Sequence, residues 1–179
     1  MKIIDMELIK DGESYLVSNN KLTGTSLEVL SFNVSTVKKR RTSQVVDGRP
    51  GTVGYGTDLE YRTIAARVQA TANTEHDITA LRDEVFNLFD GKMYVRELRS
   101  IGNNVNYESI GSSTGDLQMA EIRYVNGKRY YVECVNEISY PDNQFVSEFD
   151  VVFETVGLSY AESVYTTLQL DSTGYVDTA

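Results

Sequence analysis

Apolar side chains fall at every second position through most of this chain, and the spacing changes to that of a helix in one place. In "LEYRTIAARVQA", Ile64, Ala66, Val68 and Ala70 line one face against Tyr61, Thr63, Arg67 and Gln69. Alternation at period two is the mark of a strand with one side buried. The same pattern runs through "LEVLSFNVSTV", where Leu30, Phe32 and Val34 share a face, and through "FVSEFDVVFETVG", where Phe145, Ser147, Phe149, Val151 and Phe153 do. At the start, Ile4, Met6 and Leu8 alternate with Asp5 and Glu7; the Asp11-Gly12 turn signal and "SYLVS" follow, which reads as a hairpin. Further strands are expected in "KMYVREL", in a short "VNYESI", and in "LQMAEIRYV" joined to "KRYYVECVNEI" by the Asn126-Gly127 turn.

The period changes in "TEHDITALRDEVFNLFDG". Ile78, Leu81, Val85, Leu88 and Phe89 follow helical spacing, Thr74 and Asp77 form a capping pattern ahead of them, and Gly91 suits the stop. A helix over about residues 75–90 is therefore expected. Many strands and one amphipathic helix predict a mainly β fold, an antiparallel sandwich with one packed α-helix.

A chain of 179 residues suits one domain with a core of its own. Its single cysteine, Cys134, has no internal partner and reads as a buried thiol in a protein made in a reducing compartment. Asp5 and Glu7 interrupt the run that a secretory signal would need, and no stretch is long and apolar enough to span a membrane. The sequon at Asn33 lies in a strand pattern and carries no weight.

Sequence motifs for catalysis are weak. "GSSTG" has the letters of a nucleophile elbow around Ser113, but a strand-like run follows where that motif requires a helix. His76, the only imidazole, sits at the helix start, where a solvated polar residue is ordinary. One histidine and one cysteine cannot complete a zinc shell, and the carboxylates show no calcium-loop spacing. No catalytic residue, cofactor or metal site is expected.

One stretch departs from the rest. "KKRRTSQVVDGRPGTVGYG" places Lys38, Lys39, Arg40, Arg41 and Arg49 among four glycines, in a chain whose 17 Lys and Arg face 26 Asp and Glu for a net charge of -9. "GTVGYG" lacks both the Rossmann order and the end of a Walker loop, so a phosphate cradle is not indicated. Nonspecific nucleic-acid affinity needs only the charge, yet Tyr55 is the lone stacking aromatic nearby. With strands ending near Val37 and resuming near Asp58, a connection of about twenty residues is long for a compact domain and marks a partner-bound segment. A basic arm on an acidic body fits a second copy of that body.

The order of these segments resembles the N-terminal domain of the distal tail proteins of long, non-contractile-tailed bacteriophages. The likeness is carried by "DGRPG" followed by "YRTIAARV", by "ITALRDEVFNLF" running straight into a strand, by "GKRYYVECVNEIS" and by "SYAES", over about residues 1–165. The resemblance implies a β-sandwich with one helix and a protruding hairpin. It also implies a homo-hexameric ring joining the tail tube protein to the tail-tip hub protein, with DNA passing through the channel unbound. On that basis residues 38–56 are an intersubunit arm, with Val45, Val46, Val53 and Tyr55 supplying apolar contact beside the five basic residues. A virion location follows, at the distal end of the tail, with synthesis in the bacterial host cytoplasm. Many relatives continue into a second, galectin-like domain, so residues 166–179 are expected to be an extension or the start of a linker. The alternatives are a tail tube subunit, or a binding module for saccharide or nucleic acid.

Overall fold

The computed structural model describes residues 4–19, 22–48, 50–99, 127–140 and 145–164. In chain order these form β1 (Ile4–Lys10), β2 (Glu13–Leu16), β3 (Thr25–Val45), β4 (Thr52–Ala72), α1 (Glu75–Phe89), β5 (Lys92–Arg99), β6 (Lys128–Cys134), β7 (Val146–Thr155) and β8 (Glu162–Ser163). The expected strands in "VNYESI" and "LQMAEIRYV", together with Asn126, Ser113, Arg49 and residues 166–179, lie outside the described residues.

One hydrogen-bonded path links the strands in the order β2-β1-β5-β6-β7-β4-β3, with β8 added beside β6, and each pairing is antiparallel. The path bends back until β1 lies against β3. The mainly β sandwich expected from the alternation is therefore made by a single folded-over sheet. Asp11 (φ 53°) and Gly12 (φ 85°) are both left-handed, which closes the β1–β2 hairpin on the expected two-residue turn.

The helix begins where the capping pattern places it. Thr74 Oγ1 accepts from the Asp77 amide at 3.2 Å, and Glu75 and Asp77 set negative charge against the positive end of the helix dipole. Its last turn has no basic residue of its own, and Lys10 reaches from β1 to donate to the carbonyls of Asn87 (3.2 Å) and Asp90 (2.7 Å). Ile78, Leu81, Val85 and Phe89 are buried, and the Phe89 ring stands 6.2 Å from Phe149 and 6.1 Å from Phe153. The helix is thus sealed onto the β4–β7 part of the sheet.

Three expectations need correcting. The ladder between β3 and β4 shifts between Val29 and Ser31, so Val29 and Phe32 are both buried while Leu30 turns outward at 39% exposure; Val34, opposite buried Ile64, keeps the face of Phe32 as expected but is 36% exposed. A bulge adds one residue and flips the alternation after it. Phe145 precedes β7 and is exposed, although Ser147, Phe149, Val151 and Phe153 share the buried face as expected. The strands flanking the basic stretch do not stop at Val37 and Asp58: β3 runs on to Val45 and β4 starts at Thr52.

Asp5 is a buried carboxylate with a structural task. It accepts from the Met6 amide (2.8 Å), the Ser18 amide (3.3 Å) and the Ser18 hydroxyl, tying β1 to the chain leaving β2. Removing it strands buried donors, so Asp5→Ala is expected to cost about 1–3 kcal/mol. Phe89→Ala, which opens a hole under the helix, should cost about 3–5 kcal/mol, while exposed Phe86→Ala should stay within about 0.5 kcal/mol. Urea denaturation of the three variants measures these differences.

Candidate functional site: the hairpin arm

β4 pairs with β7 only from Thr63 to Thr71, whereas its ladder with β3 continues from Val37 opposite Arg62 out to Val45 opposite Thr52. Beyond Arg62 the hairpin is two strands alone among the described residues. At about 3.3 Å per residue this arm reaches roughly 35 Å past the sheet. Gly48 (φ 80°) and Gly51 (φ 98°) are left-handed at the tip, so two of the four glycines serve the reversal of the chain.

Side chains replace ladder bonds at the root. The Arg62 amide donates to Thr155 Oγ1 and the Thr63 amide to Ser35 Oγ, each at 2.9 Å. The Arg62 guanidinium lies 5.8 Å from the Tyr130 ring centre and donates to its hydroxyl at 3.5 Å. The register shifts on both sides of Val37, so the hairpin leaves the body through an irregular but bonded joint.

The two faces of the arm differ in charge. Opposed residues in an antiparallel ladder share a face, so Lys38 and Arg40 project with Glu60 and Asp58. Lys38 Nζ stands 3.3 Å from Glu60, and Arg40 stands 3.4 Å from Asp58 and 3.8 Å from Glu60. The Lys38 ammonium also donates to the Tyr61 hydroxyl at 2.8 Å. That bond, followed by Glu60, holds its pKa above the usual lysine value.

On the other face Lys39 lies opposite Leu59 and Arg41 opposite Thr57, with no carboxylate in either pair. The Arg41 guanidinium lies over Gly54, where a β-carbon would meet it at 3.5 Å. Neither Lys39 nor Arg41 has an ion pair among the described residues.

Of the apolar arm residues expected from sequence, Val45 and Tyr55 are 67% and 63% exposed, Val46 is exposed and Val53 is half-buried. Leu59, which sequence reasoning passed over, joins them at 45% exposure. Asp58 and Glu60 were also missed as partners of the basic run. The signal was present: Lys-x-Arg at 38–40 mirrors Asp-x-Glu at 58–60 about the tip.

Elsewhere the described residues hold no cluster of three or more His, Cys, Asp or Glu able to bind a metal, and no helix among them is long and apolar enough to cross a membrane. His76 is exposed at the helix start. Cys134 proves half-buried rather than buried. Burial raises its thiol pKa, Asp90 adds to that, and hydrogen bonds from Asn136 and Val152 oppose it. The folded chain holds this proton more tightly than the unfolded one, so the contribution to stability is full below the usual thiol range and fades as pH rises through the raised value.

Among the described residues, a folded-over antiparallel sheet with one helix and a bare two-stranded arm defines a mainly β domain. Residues 10–155 match the family model of the phage tail protein RIFT-related domain, and the chain belongs to that family. Among solved structures it is similar to the Dit protein of phage SPP1, described as a paradigm of the hub adsorption apparatus in phages that infect Gram-positive bacteria. The TM-score is 0.53 at 11% identity, over 84% of this chain and 49% of that one, so the chain spans about half the length of SPP1 Dit. No curated protein sequence matches it. The resemblance to distal tail proteins read from the order of segments is borne out.

Exposed ion pairs contribute about 0–1 kcal/mol each, so Asp58→Asn with Glu60→Gln should leave the denaturation midpoint nearly unchanged. The same pair removes the Glu60 contact that helps to hold the Lys38 ammonium, so the Lys38 pKa should fall toward the usual lysine value in an NMR titration. An unchanged Lys38 titration would mean that Glu60 does not hold this cation.

Proposed function

We propose that this chain is the ring-forming domain of a distal tail protein, a structural adaptor at the far end of a long, non-contractile phage tail. Six copies close a ring that joins the tail tube protein above to the tail-tip hub protein below. The role is mechanical, without catalysis or cofactor, and DNA crosses the channel without specific binding. The observation that carries this reading is the arm: a two-stranded hairpin with Val45, Val46, Tyr55 and Leu59 in solvent, on a fold of the phage tail family.

Isolated two-stranded hairpins are marginal in water, so an arm of this length needs a surface to lie on. Fully burying one aliphatic or aromatic side chain contributes about 1.5–3 kcal/mol, against about 0–1 for an exposed ion pair. Apolar contact therefore supplies most of the grip, and the basic residues set its direction. Such a contact joins two unlike surfaces of successive copies, which is the geometry that closes into a ring.

Self-neutralisation of Lys38 and Arg40 weighs against a nucleic-acid module, since half of the described basic cluster already has carboxylate partners. Light scattering on a size-exclusion column, comparing the intact chain with one lacking residues 38–56, tests the proposal. A hexamer that the deletion reduces to monomers is expected. Long stacked tubes would assign the chain to the tube, and monomers in both samples would remove the ring.

A further inference from the structure

At the C-terminal end of α1 the body has an open cup of about 250 Å³ whose lining includes Phe86, Phe89, Asp90, Glu133, Cys134 and Ile138. Phe86 is 42% exposed there, and Val135 just beyond is 50% exposed. Apart from the thiol, the ionisable groups that line it are both carboxylates. The negative end of the helix dipole lies here too, partly met by Lys10, which donates to the carbonyls of Asn87 and Asp90. Glu133 also sits directly opposite Glu154 in the β6–β7 ladder, a like-charge pair that Lys92 offsets from the β5 side. The cup thus combines an apolar floor with a surplus of negative charge.

We infer that this cup receives the arm of a second copy through the arm face that carries Lys39, Arg41 and Leu59. The inference rests on the ring-forming reading and names the surface the arm grips. Lys38 and Arg40 are held by Glu60 and Asp58, so the opposite face is the one with cations to spare, and Leu59 lies across from Lys39 on it. A guanidinium laid against Phe86 gains from the ring face, while Asp90 and Glu133 meet its charge. Another described hollow, about 240 Å³ between the β1–β2 hairpin and α1, is lined by Lys10 as well as Asp11 and Glu84. Its own ammonium makes it the poorer seat for a cationic arm. The arm leaves the sheet beyond Arg62, so its partner is another copy.

Cys134 lines the cup and reports on whether it is covered. In assembled wild-type protein, maleimide should alkylate Cys134 about tenfold more slowly than in the chain lacking residues 38–56, the ratio expected of a site covered about nine-tenths of the time. Lys39→Glu with Arg41→Glu should restore fast alkylation and weaken assembly. These residues are exposed and unpaired among the described residues, so circular dichroism should show an unchanged fold. Asp90→Lys with Glu133→Lys should weaken assembly too, and mixing the two variants should recover mixed oligomers. Rings in which Cys134 stays as reactive as in the armless chain overturn the docking and leave the ring intact. A chain that never assembles overturns the ring and the docking together.

Discussion

The β3–β4 ladder is the one member shared by the core and the arm, and both depend on it. Its inner half, from Thr25 opposite Ala72 to Val34 opposite Ile64, is part of the core, because Leu27, Val29, Phe32, Ile64, Ala66, Val68, Ala70 and Ala72 are all buried. β7 completes the sheet on one side of β4, and α1 packs against β4. The small side chains at Ala66, Ala70 and Ala72 keep that face low enough for a helix to approach. Among the described residues, the outer half of the same two strands has no third strand and no helix. Force applied to the arm is therefore carried into the core along continuous backbone, through a root held by Arg62, Thr155 and Ser35.

An open hairpin of this length is also a hazard. Among the described residues no strand pairs with the outer edges of the arm, and such edges invite pairing with any passing strand. Charged residues on edge strands are a known protection, and the Lys38–Arg41 run occupies β3 for that stretch. The cluster that looks from sequence like a nucleic-acid patch thus has two structural duties. On one face Lys38 and Arg40 cross-link the hairpin to Asp58 and Glu60; on the other, Lys39 and Arg41 have no ion pair among the described residues and keep the edge charged.

The described part of this molecule spends many of its polar groups on joints. Asp5 fastens the first hairpin, Lys10 closes the end of the helix, and Asn136 turns the chain after β6 by donating to Asp150 O and accepting from the Val152 amide. These are distant contacts in sequence between groups whose only common property is hydrogen-bonding capacity. The fold is shared with SPP1 Dit at 11% identity.

Period and turn chemistry are local, and the features that depend on them were legible in the chain itself. The Asp11-Gly12 hairpin, the Thr74 cap, the buried faces of α1, β4 and β7, and the existence of a long excursion around residues 38–56 all follow from neighbours a few positions apart. Three things required the tertiary structure. The bulge after Val29 set Leu30 on the face opposite Phe32, because an inserted residue changes parity without changing composition. The arm's extent was hidden, because glycines and charges read as a loop until register pairs Lys38 to Gln44 with a partner strand. The division of one basic run into a neutralised and a free face was decided by which side of a pleat each residue takes, and that depends on strand pairing about twenty residues away in sequence.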